Sequence, residues 1–153
     1  MSTLVVYDSQ FGNTALIAET IGSQLKSMPR VLAITNVSPA DLQPVEFLII
    51  GSPTQGGRPT ARMLKFLQTL PKNAFEYKRV VAFDTRISAI DQKIWLRTFM
   101  NSIGYAAPKI AKIVKDKGAT LIAQPEGFFV EAKEGPLKKD ELKRAATWAK
   151  TIQ

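Results

Sequence analysis

Short apolar runs alternate with longer amphipathic stretches along the whole chain. Leu4-Val5-Val6, Val31-Leu32-Ala33-Ile34, Phe47-Leu48-Ile49-Ile50, Arg79-Val80-Val81-Ala82-Phe83 and Thr120-Leu121-Ile122-Ala123 read as strands. Phe47 to Ile50 has no polar interruption, the pattern of a strand covered on both faces of a parallel sheet. Between the runs the apolar spacing changes to that of helices. Ile17, Ile21 and Leu25 recur every four residues and predict a helix over 14–27, closed by Pro29. Ser38-Pro39-Ala40-Asp41-Leu42 reads as a cap, an N1 proline and one helical turn. Met63, Leu64, Leu67 and Leu70 share a face of a helix starting at Ala61. Trp95, Phe99 and Ile103 form a stripe that stops at Gly104. Pro108 opens a further helix with Ile110, Ile113 and Val114 inward, Lys109, Lys112 and Lys115 outward, and Gly118 at its end. Phe128-Phe129-Val130 extends the fifth strand, and Pro136 opens a last helix with Leu142, Ala145, Ala149 and Ile152 facing the core. Five alternations predict an α/β fold: a single doubly wound five-stranded parallel sheet with helices on both faces, one domain over 1–153.

The 153 residues suffice for one core, and no apolar run approaches the ~20 residues of a membrane span. Met1-Ser2-Thr3 leads straight into a strand, so the expectation is a cytoplasmic protein without a leader and without membrane insertion. There is no cysteine and no histidine, which excludes disulfides, thiol catalysis, imidazole acid–base chemistry and most zinc sites; redox chemistry would need a cofactor. The net charge of +8 is uneven, with six basic and five acidic residues in 1–76 against fifteen and eight in 77–153. No basic run is interleaved with aromatics. The basic half therefore reads as a solvated lysine-rich surface that suits an acidic partner, and no nucleic acid is expected.

In an open parallel sheet, ligands sit outside the carboxyl ends of the strands. Three segments qualify: 9–14, 52–58 and 84–88. The first joins a strand to a helix, and the first N–H groups of a helix lack intrahelical acceptors and carry partial positive charge. Ser9, Asn13 and Thr14 add side-chain donors, and Gly12 lets the backbone approach closely. This suits a phosphate monoester. The simpler alternative is a tight connection capped by Thr14. The spacing is neither GxxxxGK[ST] nor GxGxxG, so Walker-type and dinucleotide sites are disfavoured. Asp8 stands alone where a response-regulator receiver carries an acidic pair. The other two segments offer glycine, threonine, glutamine and arginine to a polar ring system. Asp84 reads as a loop cap, and no catalytic acid or base and no metal site stands out.

Ser9-Gln10-Phe11-Gly12-Asn13-Thr14 resembles the phosphate loop of the flavodoxin family, roughly [ST]-x-[TYF]-G-N-[TS]. Phe47-Leu48-Ile49-Ile50-Gly51-Ser52-Pro53-Thr54 resembles the strand and loop that precede the flavin ring in that family. The likeness runs over nearly the whole chain and implies a short-chain form with strand order 2-1-3-4-5 and FMN as cofactor. By that resemblance Ser9, Gln10, Phe11, Gly12, Asn13 and Thr14 hold the phosphate. Pro53, Thr54, Gln55, Gly56 and Gly57 line one side of the isoalloxazine, and Asp84, Thr85 and Arg86 reach its pyrimidine end. Gly56 or Gly57 would permit the redox-linked peptide change near flavin N5 known in the family.

Three departures stand beside the likeness. Neither 52–58 nor 84–88 contains an aromatic residue to stack on the ring; Phe11 is the nearest, and it reads as a core residue under its loop. The chain is basic where electron-carrier flavodoxins are typically acidic. Arg58 and Arg86 flank the ring site, where a cation would stabilise the reduced anionic flavin and raise its potential by tens of millivolts or more: a unit charge at ~4 Å contributes roughly 4 kcal/mol at a dielectric of 20, and about 1.4 kcal/mol is ~59 mV for one electron. Three functions follow. The first is an FMN-binding electron carrier between protein partners. The second is an FMN-dependent NAD(P)H:quinone reductase with a small-molecule acceptor. The third is a non-redox module that binds another phosphate ligand.

Overall fold

The computed structural model describes all 153 residues. Six strands form one parallel sheet: β1 (Thr3–Tyr7), β2 (Arg30–Ala33), β3 (Phe47–Pro53), β4 (Arg79–Ile87), β5 (Thr120–Leu121) and β6 (Glu126–Val130). Their order is β2-β1-β3-β4-β5, with β6 also paired to β4. Six α-helices accompany them: α1 (Asn13–Gln24), α2 (Pro39–Leu42), α3 (Ala61–Thr69), α4 (Ile94–Ile103), α5 (Ala106–Asp116) and α6 (Glu141–Thr151). The expected doubly wound sheet and its strand order are present.

Alternation along the strands divides the core in two, because successive side chains point to opposite faces. Leu4, Val6, Leu48, Ile50, Val80 and Ala82 meet Met63 and Leu67 of α3 and Ile110 and Val114 of α5. Val5, Phe47, Ile49, Val81, Phe83 and Phe128 meet Ile17 and Ile21 of α1 and Ala145 and Ala149 of α6. Phe83, Phe128 and Trp148 pack edge-on, with centroids 5.8–6.4 Å apart. Gly51 belongs to this packing: a Cβ there would lie 2.0 Å from the Phe83 ring. The short helix α2 is held by its cap. Asp41 Oδ2 accepts from the Ser38 N–H at 2.8 Å and its hydroxyl at 2.7 Å, and Arg30 adds a bond at 2.9 Å. Together these lower the Asp41 pKa to about 2.

Several expectations change. The segment 84–88 is not a loop, because β4 continues to Ile87 and pairs with β6 from Phe83↔Glu126 to Ile87↔Val130. A charged residue ended the apolar run, but its charge is met inside the sheet, as described below. The fifth strand position holds two segments. β5 pairs with the start of β4 and β6 with its end, and the break contains Pro125, which has no N–H for the ladder. α1 starts at Asn13 and ends at Gln24. Pro136 does not open α6: Leu137 bridges back to Val130, and the helix begins at Glu141. Leu142 is exposed and Glu141 takes the inward position, while Ala145, Ala149 and Ile152 are buried as expected. α4 ends at Gly104, but no residue of it is buried; Trp95 is 70% exposed. Lys109 points inward, its Nζ bonded to the carbonyls of Gly57 and Ile103 at the start of α5.

Candidate functional site

β1 delivers the chain into the loop before α1. Gly12, not Thr14, is the N-cap, with φ 96°, a left-handed conformation that favours glycine. A Cβ at Gly12 would enter open space, so its requirement is conformational rather than steric. Ser9 Oγ accepts from the N–H groups of Gly12 at 3.1 Å and Ala15 at 3.4 Å, which leaves its own proton free. The N–H groups of Gln10, Phe11, Asn13 and Thr14 have no acceptor in the protein. Four unpaired donors at the mouth of α1 are the defining feature of this end. Buried Asp8 anchors the loop. Its carboxylate accepts from the Ser9 N–H at 3.0 Å, from the Thr60 hydroxyl, and from Arg62 at 2.7 and 3.2 Å. Thr60 in turn caps α3 through the Met63 N–H at 3.1 Å. The Thr14 and Thr85 hydroxyls lie 2.8 Å apart and tie the loop to β4.

After β3 the chain makes a tight turn, closed by bonds between Gln55 and Arg58 in both directions at 2.8 and 3.1 Å. Gly56 and Gly57 both have positive φ, 56° and 77°, the pattern of a type I′ turn. Gly57 faces away from the cleft, where a Cβ would meet Ile103 at 2.9 Å, whereas Gly56 is open. The Gln55 side chain donates to that of Gln10 and bridges the two loops. The Thr54 N–H donates to the Thr85 carbonyl at 2.9 Å, and the Thr54 hydroxyl accepts from the Ala106 N–H at 2.9 Å.

Asp84 and Arg86 form one unit. The Asp84 side chain is fully buried, and Arg86 holds it through two bonds of 2.6 and 2.7 Å. The Ala107 N–H, in the first turn of α5, adds a third at 2.8 Å. Burial pushes the Asp84 carboxyl above its ordinary pKa, against the pull of Arg86, the Ala107 N–H and Thr54. The Arg86 guanidinium lies 3.8 Å from the Tyr105 ring centroid, and a Cβ on Gly127 would collide with it at 2.3 Å. Arg86 is thus clamped between a ring and a bare backbone, with its charge compensated. The potential-raising effect expected of Arg86 is offset by this pairing, and exposed Arg58 does not line the cleft.

The three segments enclose a cleft of about 540 Å³, within the range of cofactor sites. Ser9, Gln10, Phe11, Asn13 and Thr14 line one end; Pro53, Thr54, Gln55 and Gly56 line a side; Thr85 and Arg86 line the floor. Gly12, Gly57 and Asp84 do not line it and act on the backbone or from beneath. Phe11 is not a core residue: it is 43% exposed and faces the cleft, so an aromatic ring is available after all. Sequence reasoning missed Ile87, Val130 and Lys133, which also line the cleft, and the anchoring role of Asp8. Val130 and Lys133 carry no local signal, since their position depends on how β6 pairs with β4.

A family model described as Flavodoxin domain matches residues 4–125. No curated protein matches the sequence. Among solved structures, a flavodoxin from the domain Archaea is similar at TM-score 0.77 and 22% identity, covering 99% of this chain and 96% of the other. Oxidised Flavodoxin 1 from Bacillus cereus is similar at TM-score 0.76 and 15% identity, covering 99% and 97%. A flavodoxin, WrbA-like protein from Agrobacterium tumefaciens is similar at 0.72 and 19%, covering 99% and 94%.

Proposed function

The chain belongs to the flavodoxin family, and from that premise we propose that it binds FMN in this cleft and carries electrons between redox proteins. The observation that carries the reading is the set of unpaired N–H groups at residues 10, 11, 13 and 14, beside a polar cleft with no carboxylate in its lining. Such an end accepts a phosphate dianion without competition from a fixed negative charge. The Ser9 hydroxyl and Asn13 add donors at the same end, the 53–56 turn and Thr85 offer backbone and side-chain groups to a heterocycle, and Phe11 offers a ring face. Bound FMN supplies one- and two-electron redox chemistry.

A carrier is favoured over an NAD(P)H:quinone reductase because no lining residue except Lys133 and Arg86 is ionisable, and the Arg86 charge is already paired. An acidic protein partner is favoured by the surface next to the cleft. No Asp or Glu occurs between Gln92 and Lys115, and Lys93 and Arg97 stand beside the exposed Ile94, Trp95 and Phe99 of α4. The end of that helix packs behind the 55–58 turn, with Ile103 against the side of Gly57 that faces away from the cleft. No helix of the chain is long and apolar enough to cross a membrane.

The test is reconstitution with FMN, stopped-flow reduction of the oxidised form by a reduced acidic ferredoxin, and stopped-flow oxidation of the reduced form by basic cytochrome c. The carrier reading predicts reduction by the ferredoxin that slows as salt is added, and oxidation by cytochrome c that does not. Rapid steady-state NADPH oxidation with a quinone, and no electron exchange with either protein, would favour the reductase.

A further inference from the structure

The segment 131–136, between β6 and α6, folds back as a closed strap. Its base is fixed by the Val130–Leu137 bridge, by the Glu131 N–H on the Pro136 carbonyl at 2.8 Å and by the Lys138 N–H on the Phe129 carbonyl at 2.9 Å. Its tip is fixed on the first residue of α1. Asn13 Nδ2 donates to the Glu134 carbonyl at 3.1 Å. Gly135 packs against the same side chain so closely that a Cβ would sit 2.7 Å from the Asn13 amide atoms. The strap therefore docks on the residue that opens α1, and it carries Lys133 into the lining of the cleft.

The charges around Lys133 decide what it meets there. It makes no hydrogen bond and no ion pair within the protein. Its exposed neighbours on the strap, Glu131 and Glu134, do not line the cleft, and no other carboxylate does. The second cation of the lining, Arg86, is paired with Asp84. Lys133 is the one uncompensated charge facing the cavity, and it shares that lining with Ser9, Asn13 and Thr14. The family match ends at residue 125, so the strap lies outside the part of the chain that the match describes.

We infer that Lys133 is a specificity residue that contacts the phosphate of the bound flavin nucleotide and selects FMN over the uncharged riboflavin. The inference rests on the FMN reading above and goes beyond the main-chain donors that reading uses. An ammonium group adds a charge-assisted bond to a dianion that a neutral flavin cannot make. Asn13 also holds the strap tip, by one of its two amide hydrogens on the Glu134 carbonyl.

The test is fluorescence titration of the apoprotein with FMN and with riboflavin, for the wild type, Lys133→Ala and Lys133→Arg, at low and high salt. Lys133→Ala is expected to weaken FMN binding about tenfold and to leave riboflavin within about twofold. It should also flatten the salt dependence of the FMN constant, while Lys133→Arg keeps the wild-type values. Because the side chain is exposed, near-UV circular dichroism should be unchanged. Equal losses for both ligands, or no loss for either, overturn the assignment of Lys133 while FMN binding by the wild type stands. Wild-type protein that fails to bind FMN overturns the underlying reading, and this inference with it.

Discussion

Asp84 shows how a residue's chemistry depends on where the sheet puts it. A carboxylate following an apolar strand reads as a loop cap, because charges seldom enter a parallel sheet. Here the charge is taken into β4 and met by Arg86 and the Ala107 N–H at 2.6–2.8 Å. The pairing keeps the cleft floor nearly neutral. Asp84→Asn removes the negative partner; its single amide oxygen can still accept from Arg86 Nη2 and the Ala107 N–H, while the bond from Arg86 Nε is lost. The expected result is a rise of tens of millivolts in the midpoint potential of the bound flavin, from an unmasked guanidinium at screened range. Spectroelectrochemical titration checks this, and an unchanged potential would show that the Arg86 charge does not reach the ring. Phe11 teaches the converse lesson. From the sequence its ring reads as a core residue; in the folded chain it is 43% exposed and faces the cleft, beside the left-handed Gly12.

At the level of elements, the motif-bearing pieces were legible. The loop before α1, the continuous apolar β3 and the stripes of α1, α3 and α5 all follow from spacing, and each packs on the face the spacing implies. The end of the chain was not legible, because its anchors are polar and distant in sequence. Pro136 resembles a helix start, yet the true start is fixed by Glu141. That buried carboxylate accepts from the Phe129 N–H at 2.7 Å and from Arg144 at 2.7 and 2.9 Å. Burial disfavours its charged form, but Arg144, the Phe129 N–H and Lys138 outweigh it and hold the pKa below the ordinary 4.5. A lowered native pKa means stability that is complete above the unfolded value and lost as pH falls through the native one. Urea unfolding should therefore show stability falling as pH drops below about 4.5, with a smaller fall in Glu141→Gln, which would be less stable at pH 7 by up to about 1 kcal/mol. Parallel pH profiles for the two proteins would remove Glu141 from the account. The same anchor sets where the strap with Lys133 begins its return, so this polar cluster also shapes the cleft.

On the scale of the whole molecule, the site is assembled from three strand ends and one strap. Only the loop before α1 announced a phosphate by its residues. The turn at 55–58 and the end of β4 gained their places from the parallel register Phe47↔Arg79 to Pro53↔Thr85. The strap gained its place from β6, whose pairing with β4 no local pattern encodes. The uneven charge of the chain is visible in the sequence, but its meaning comes from α4, which leaves Trp95 and Phe99 exposed near Lys93 and Arg97. The bare N–H groups of residues 10, 11, 13 and 14 are expected to bind the phosphate of FMN. Isothermal calorimetry of the apoprotein with FMN and with riboflavin measures this directly. One FMN site per chain is expected, with riboflavin binding at least tenfold weaker; equal affinities, or no heat with FMN, would rule out capture of the phosphate by these N–H groups.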